Sequence, residues 1–188
     1  MRKGERMNLA NKLTMLRVVI VPFFVAALAF SQHLIALILF AAASITDMLD
    51  GKIARKYNMV TDFGKFLDPL ADKILVAAAL ICMVELGYTA AWLVWLIIAR
   101  EFLVSGLRLV AAGSKEKIVI AANIWGKLKT ASTMAAICII LGLHMFMDFG
   151  AEIPFVPLIS DILMYVCTIL TVISGAIYVW DYRRVLSE

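Results

Sequence analysis

Apolar runs of about twenty residues recur along this chain, separated by short polar connections, and no other feature limits its possible folds so severely. A helix of that length spans about 30 Å, the hydrocarbon thickness of a bilayer, and a run without polar periodicity leaves it no face for water. With 63% hydrophobic residues, the chain also exceeds the apolar share of an ordinary soluble domain. The reading is an all-α polytopic membrane bundle of six transmembrane helices with a short N-terminal interfacial helix, forming one domain over residues 1–188. Spans are expected at 12–30, 33–57, 64–87, 90–113, 124–147 and 155–180. The first run is too long, and the segment before it too polar, for a cleaved signal peptide.

Charge placement gives the orientation. The connections SQH, GYTAA and MDFGAEIP contain no Lys or Arg, whereas the N-terminus, the 52–65 connection, the 113–129 linker and the C-terminal Arg183 and Arg184 are basic. Basic loops stay on the cytoplasmic side. The chain therefore reads as a multi-pass protein of the plasma membrane with both termini cytoplasmic. Arg2, Lys3 and Arg6 suit a segment lying on an anionic leaflet, with a disordered tail as the alternative. The net charge of +4 follows from this asymmetry and does not point to nucleic acid.

Against that apolar background, the stretch DMLDGKIARKYNMVTDFGKFLDPLAD carries four carboxylates, Asp47, Asp50, Asp68 and Asp72. The first two are three residues apart and the last two four apart, so on helices each pair shares a face. One pair ends the second span and the other begins the third, so antiparallel neighbours would bring all four to one level near the cytoplasmic surface. A buried carboxylate costs about 2.5 to 3.5 kcal/mol on insertion scales, and four together repel one another unless a cation intervenes. An all-oxygen set without Cys or His selects Mg²⁺ or Mn²⁺, and four carboxylates suit two ions better than one. Two other readings exist. The four acids could form a scaffold of ion pairs with Lys52, Arg55, Lys65 and Lys73, which leaves the adjacent glycines without a purpose. They could instead form a cation-transport site, against which stand the position near one face and the absence of an internal repeat.

The same stretch resembles the signature of the CDP-alcohol phosphotransferases, D-x-x-D-G-x-x-A-R, eight residues, then G-x-x-x-D-x-x-x-D. Every fixed position is present, as Asp47, Asp50, Gly51, Ala54, Arg55, Gly64, Asp68 and Asp72. The resemblance implies a membrane enzyme that cleaves a CDP-linked lipid, CDP-diacylglycerol, and releases CMP. It implies that Asp47, Asp50 and Asp68 bind metal, and that Asp72 is the general base and an outer metal contact. By the same resemblance, Gly51, Ala54, Arg55 and Gly64 line the CDP-lipid site, and the chain works as a homodimer among membrane lipids. The segments NLANKLTMLRVVIVPFF and IWGKLKT are similar to the branch that uses glycerol 3-phosphate as acceptor. Inositol phosphate, serine and phosphatidylglycerol are the other acceptors in the family.

A phosphate-bearing acceptor needs its own cations. Arg100, Arg108, Lys127 and Lys129 lie in the cytoplasmic halves of the fourth and fifth spans, and Arg108 is the first choice among them. For each, snorkelling to the headgroups is the alternative, and the deeper Arg100 could instead pair with neighbouring Glu101 or another helix. Cys82, Cys138 and Cys167 lack the paired spacing of a metal or redox motif and read as reduced packing residues. His33 and His144 read as isolated interfacial residues.

Overall fold

A computed structural model of the chain describes the backbone of residues 9–56, 62–113 and 124–181, and the side chains of residues 15–46, 71, 73–108 and 124–181. The described residues form six α-helices and no strand: α1 (Leu9–Ala29), α2 (His33–Lys56), α3 (Asp62–Glu85), α4 (Ala91–Gly113), α5 (Ile124–Asp148) and α6 (Val156–Asp181). Each falls within about three residues of an expected span, because apolar run length is a strong signal for a helix. The expected interfacial segment at the N-terminus and the apolar piece of the 113–123 linker lie outside the described residues. Among the described residues, α5 and α6 are long and apolar enough to cross a membrane; α1 and α2 carry the shorter apolar stretches Met15–Ala29 and His33–Thr46.

The chain divides into two compact units, residues 1–82 with 141–152, and residues 83–140 with 153–188. In the first, α1 and α2 pack as a hairpin whose centre is the pair Phe24 and Phe40, fully buried with ring centroids 5.8 Å apart. α1 continues through Pro22 without a break in the helix. In the second, α4 packs on α6. Leu158, Ile162, Ile169 and Trp180 of α6 are each more than half exposed, an outward face that suits lipid rather than water.

Three helices end in the same way. Gly87 (φ 74°) follows α3 and Gly150 (φ 89°) follows α5; their N–H groups donate to Val84 O and Met147 O, and the next N–H groups reach back to Met83 O and Phe146 O. This paired pattern satisfies carbonyls that a helix end leaves bare, and its left-handed residue favours glycine. After α1 the same two bonds form around Ser31 at φ 54°, so a non-glycine residue there carries backbone strain.

Candidate active site

The eight signature positions fall on two helices of the first unit. Asp47, Asp50, Gly51, Ala54 and Arg55 belong to α2, and Gly64, Asp68 and Asp72 to α3. The backbone is helical at all of them, so the separations of three and four residues are helical separations, each pair falling on one face of its helix. Their side chains, and the 57–61 connection, lie outside the described residues. The donor set itself fits a hard divalent ion, being all carboxylate. Among the described residues, no group of three or more His, Cys, Asp or Glu side chains could hold a metal.

The basic residues expected to serve the acceptor belong to the second unit, and there the side chains are defined. Arg100 and Arg108 lie on α4, two turns apart along the helix, and both meet Tyr178 of α6. Arg108 donates from Nη2 to the Tyr178 hydroxyl at 2.8 Å, and its guanidinium carbon is 5.3 Å from the ring centroid. The corresponding Arg100 carbon is 5.5 Å from the same centroid, and Arg100 Nη2 donates to Ser174 Oγ at 2.6 Å. One buried ring, 2% exposed, thus carries two cations. The negative face of the ring favours each of them, while their mutual repulsion favours an anion beside them.

Small residues make this arrangement possible. A Cβ at Gly175 would stand 2.9 Å from Arg100 Cγ, so any side chain there would push the arginine stem away. A Cβ at Gly126 of α5 would contact the Tyr178 ring at 3.6 Å, an ordinary packing distance.

Lys129 and Lys127 have different surroundings. Lys129 is 6% exposed and forms an ion pair with Glu101, which also accepts from Arg100 Nη1 at 3.2 Å. Lys127 is exposed and makes no ion pair among the described residues. Arg108 is exposed as well, with one guanidinium donor on Tyr178. It is therefore the arginine of the pair best able to meet a ligand. Arg100 is held by Glu101 and Ser174, and its buried Nε finds no acceptor among the described residues.

Sequence reasoning missed Ser174 and Tyr178. A usable signal was present, because Cys167, Thr168, Thr171, Ser174, Gly175 and Tyr178 form a buried, small and polar stripe on the otherwise apolar α6. One reading is corrected. His33 and His144 are not isolated: their rings stack at 5.4 Å, and His33 Nδ1 lies 2.7 Å from Asp148 Oδ2. The partners are 115 residues apart in sequence, and they meet because the start of α2 and the end of α5 belong to one unit. Cys82 and Cys167 are buried and all three cysteines are reduced.

Residues 7–173 match the model of the CDP-alcohol phosphatidyltransferase family, and the chain belongs to that family of enzymes. Within it, the chain is 43% identical to the CDP-diacylglycerol–glycerol-3-phosphate 3-phosphatidyltransferase of Bacillus subtilis, over 93% of each sequence. It is 38% identical to proteins of the same name from Rickettsia felis, over 91% of this chain and 93% of the relative, and from Haemophilus influenzae, over 90% of each.

Proposed function

We propose that this chain transfers the phosphatidyl group of CDP-diacylglycerol to glycerol 3-phosphate, giving phosphatidylglycerophosphate and CMP. The observation that carries the proposal is the 43% identity to the Bacillus subtilis enzyme along nearly the whole of both chains. The complete signature on α2 and α3 and the paired arginines on α4 support it independently.

In this reading a hydroxyl of glycerol 3-phosphate attacks the phosphorus that bears diacylglycerol. The bridging oxygen of the diphosphate leaves with CMP, and the hydroxyl proton passes to the Asp72 carboxylate. Asp47, Asp50 and Asp68, with Asp72 as an outer contact, would hold Mg²⁺ or Mn²⁺, in two sites. When bound, such ions supply charge neutralisation at the diphosphate. By the family resemblance, Gly51, Ala54 and Gly64 would border the CDP end of the donor, and Arg55 would contact its diphosphate or brace the carboxylates. Arg108, with Arg100 on the same Tyr178 ring and Lys127 as a further cation, takes the acceptor's phosphate. Lys129, the fourth cation expected to serve the acceptor, forms an ion pair with Glu101 that ties α4 to α5.

The whole chain acts as one catalytic domain, of six membrane-spanning helices, with the site and both termini facing the cytoplasm. The outward apolar residues of α6 and the basic connections support this placement. The family resemblance adds a homodimer. The decisive experiment is release of CMP by purified protein given CDP-diacylglycerol and, in turn, glycerol 3-phosphate, inositol phosphate, serine and phosphatidylglycerol. Turnover with glycerol 3-phosphate is expected to dominate. Preference for any other acceptor would overturn the assignment.

A further inference from the structure

We propose that Tyr178 is a positioning residue for the acceptor, setting the direction in which Arg108 presents its guanidinium to a phosphate monoester. The proposal rests on the reading that Arg108 receives the acceptor's phosphate. A phosphate is best held by an arginine whose planar fork is already aimed, since a freely rotating side chain loses rotamer entropy on binding. Arg108 is exposed and on its own would sample many rotamers. Tyr178 is almost completely buried, and its hydroxyl holds Arg108 Nη2 at 2.8 Å. That single bond fixes one corner of the guanidinium and directs the remaining donors elsewhere.

The anchor is itself rigid. Four residues before it on α6, Ser174 holds Arg100 at 2.6 Å, and the guanidinium of Arg100 lies 5.5 Å from the Tyr178 ring centroid. The Arg100 stem passes where a Cβ of Gly175 would stand. Rotation of the phenol would therefore disturb Arg100 as well as Arg108. A phenylalanine at 178 would keep the ring contacts to both arginines and lose only the acceptor atom. The chemistry separates direction, which needs the hydroxyl, from packing, which needs only the ring.

The test is steady-state kinetics of the purified, Mg²⁺-supplied protein with CDP-diacylglycerol and varied glycerol 3-phosphate. Tyr178→Phe is expected to raise KM for glycerol 3-phosphate about tenfold, the usual worth of a hydrogen bond to a charged group, while kcat and KM for the donor stay unchanged. In an Arg108→Ala background the same change should add nothing to KM for glycerol 3-phosphate, because the proposed role of the Tyr178 hydroxyl runs through its bond to Arg108. Tyr178→Leu, which removes the ring too, should raise KM further than Tyr178→Phe. If Arg108→Ala leaves KM for glycerol 3-phosphate unchanged, the acceptor reading fails and takes the proposal with it. If Arg108→Ala raises that KM and Tyr178→Phe does not, the acceptor reading stands and the role of Tyr178 is refuted. Equal damage from Tyr178→Phe in both backgrounds, or loss of the fold, would mark Tyr178 as packing alone and refute it too.

Discussion

Glu101 of α4 neutralises Lys129 of α5 while accepting a second cation, Arg100, on the same carboxylate oxygen. Lys129 is nearly buried, so removing the Glu101 charge weakens the compensation of an ammonium shielded from water. Glu101→Gln should therefore lower stability by about 2 kcal/mol, less than for a fully buried pair because Glu101 keeps 24% exposure. Glu101→Gln with Lys129→Met should recover part of that loss. Thermal unfolding in detergent measures both, and a single variant as stable as the parent would reduce the pair to a surface contact.

Activity should depend on Mg²⁺ or Mn²⁺ and vanish in excess EDTA. Asp47→Asn, Asp50→Asn and Asp68→Asn should each abolish CMP release while the protein stays folded, since each removes a charge that only a metal compensates. Near-normal rates in these variants would favour an ion-pair scaffold. Metal flux into sealed vesicles without CMP formation would favour transport.

Asp72→Asn and Arg108→Ala should fail in different ways. Loss of a general base lowers kcat by about 10² to 10⁴ and leaves CDP-diacylglycerol binding largely intact. Loss of Arg108 should act on KM for glycerol 3-phosphate. If Asp72→Asn loses donor binding as fully as Asp47→Asn, Asp72 is chiefly a metal ligand.

The helix-ending residues give a pair of opposite predictions. Ser31→Gly should stabilise the protein by about 0.5 kcal/mol, as relief of left-handed strain outweighs the added freedom of the unfolded chain. Gly87→Ala should destabilise it by about 1 kcal/mol. No neighbour lies within 4 Å of a Cβ at Gly87, so the cost there is conformational alone. Matched unfolding curves decide both signs.

Labelling of single cysteines, with Cys82, Cys138 and Cys167 replaced, should find Tyr57→Cys reactive only from the cytoplasm and Glu152→Cys only from outside. The basic-residue asymmetry requires that pattern. The reverse would separate the carboxylates from any cytoplasmic nucleotide donor.

Helix positions were legible in the sequence because they depend on run length, and with them the placement of Asp47, Asp50, Asp68 and Asp72 on two successive helices. The pairing of side chains was not. Arg108 and Tyr178 are 70 residues apart, and His33 and Asp148 are 115 apart, and no local periodicity encodes such meetings. Arg108 was legible as a cation; the ring that aims it was hidden in a helix whose apolar content draws attention to lipid. Lys129 showed the opposite difficulty, since a basic residue near a helix end looks the same in sequence whether it snorkels or binds a carboxylate.

The turn at Ser31 also bears on the order in which the chain takes shape. α1 and α2 are joined by only residues 30–32, and the hairpin's central contact, Phe24 on Phe40, closes a short loop. Everything that contact requires precedes Asp47. During synthesis, the helix that carries the first two aspartates can already be seated against its partner when those residues leave the ribosome, so the first half of the signature is delivered to a prepared support.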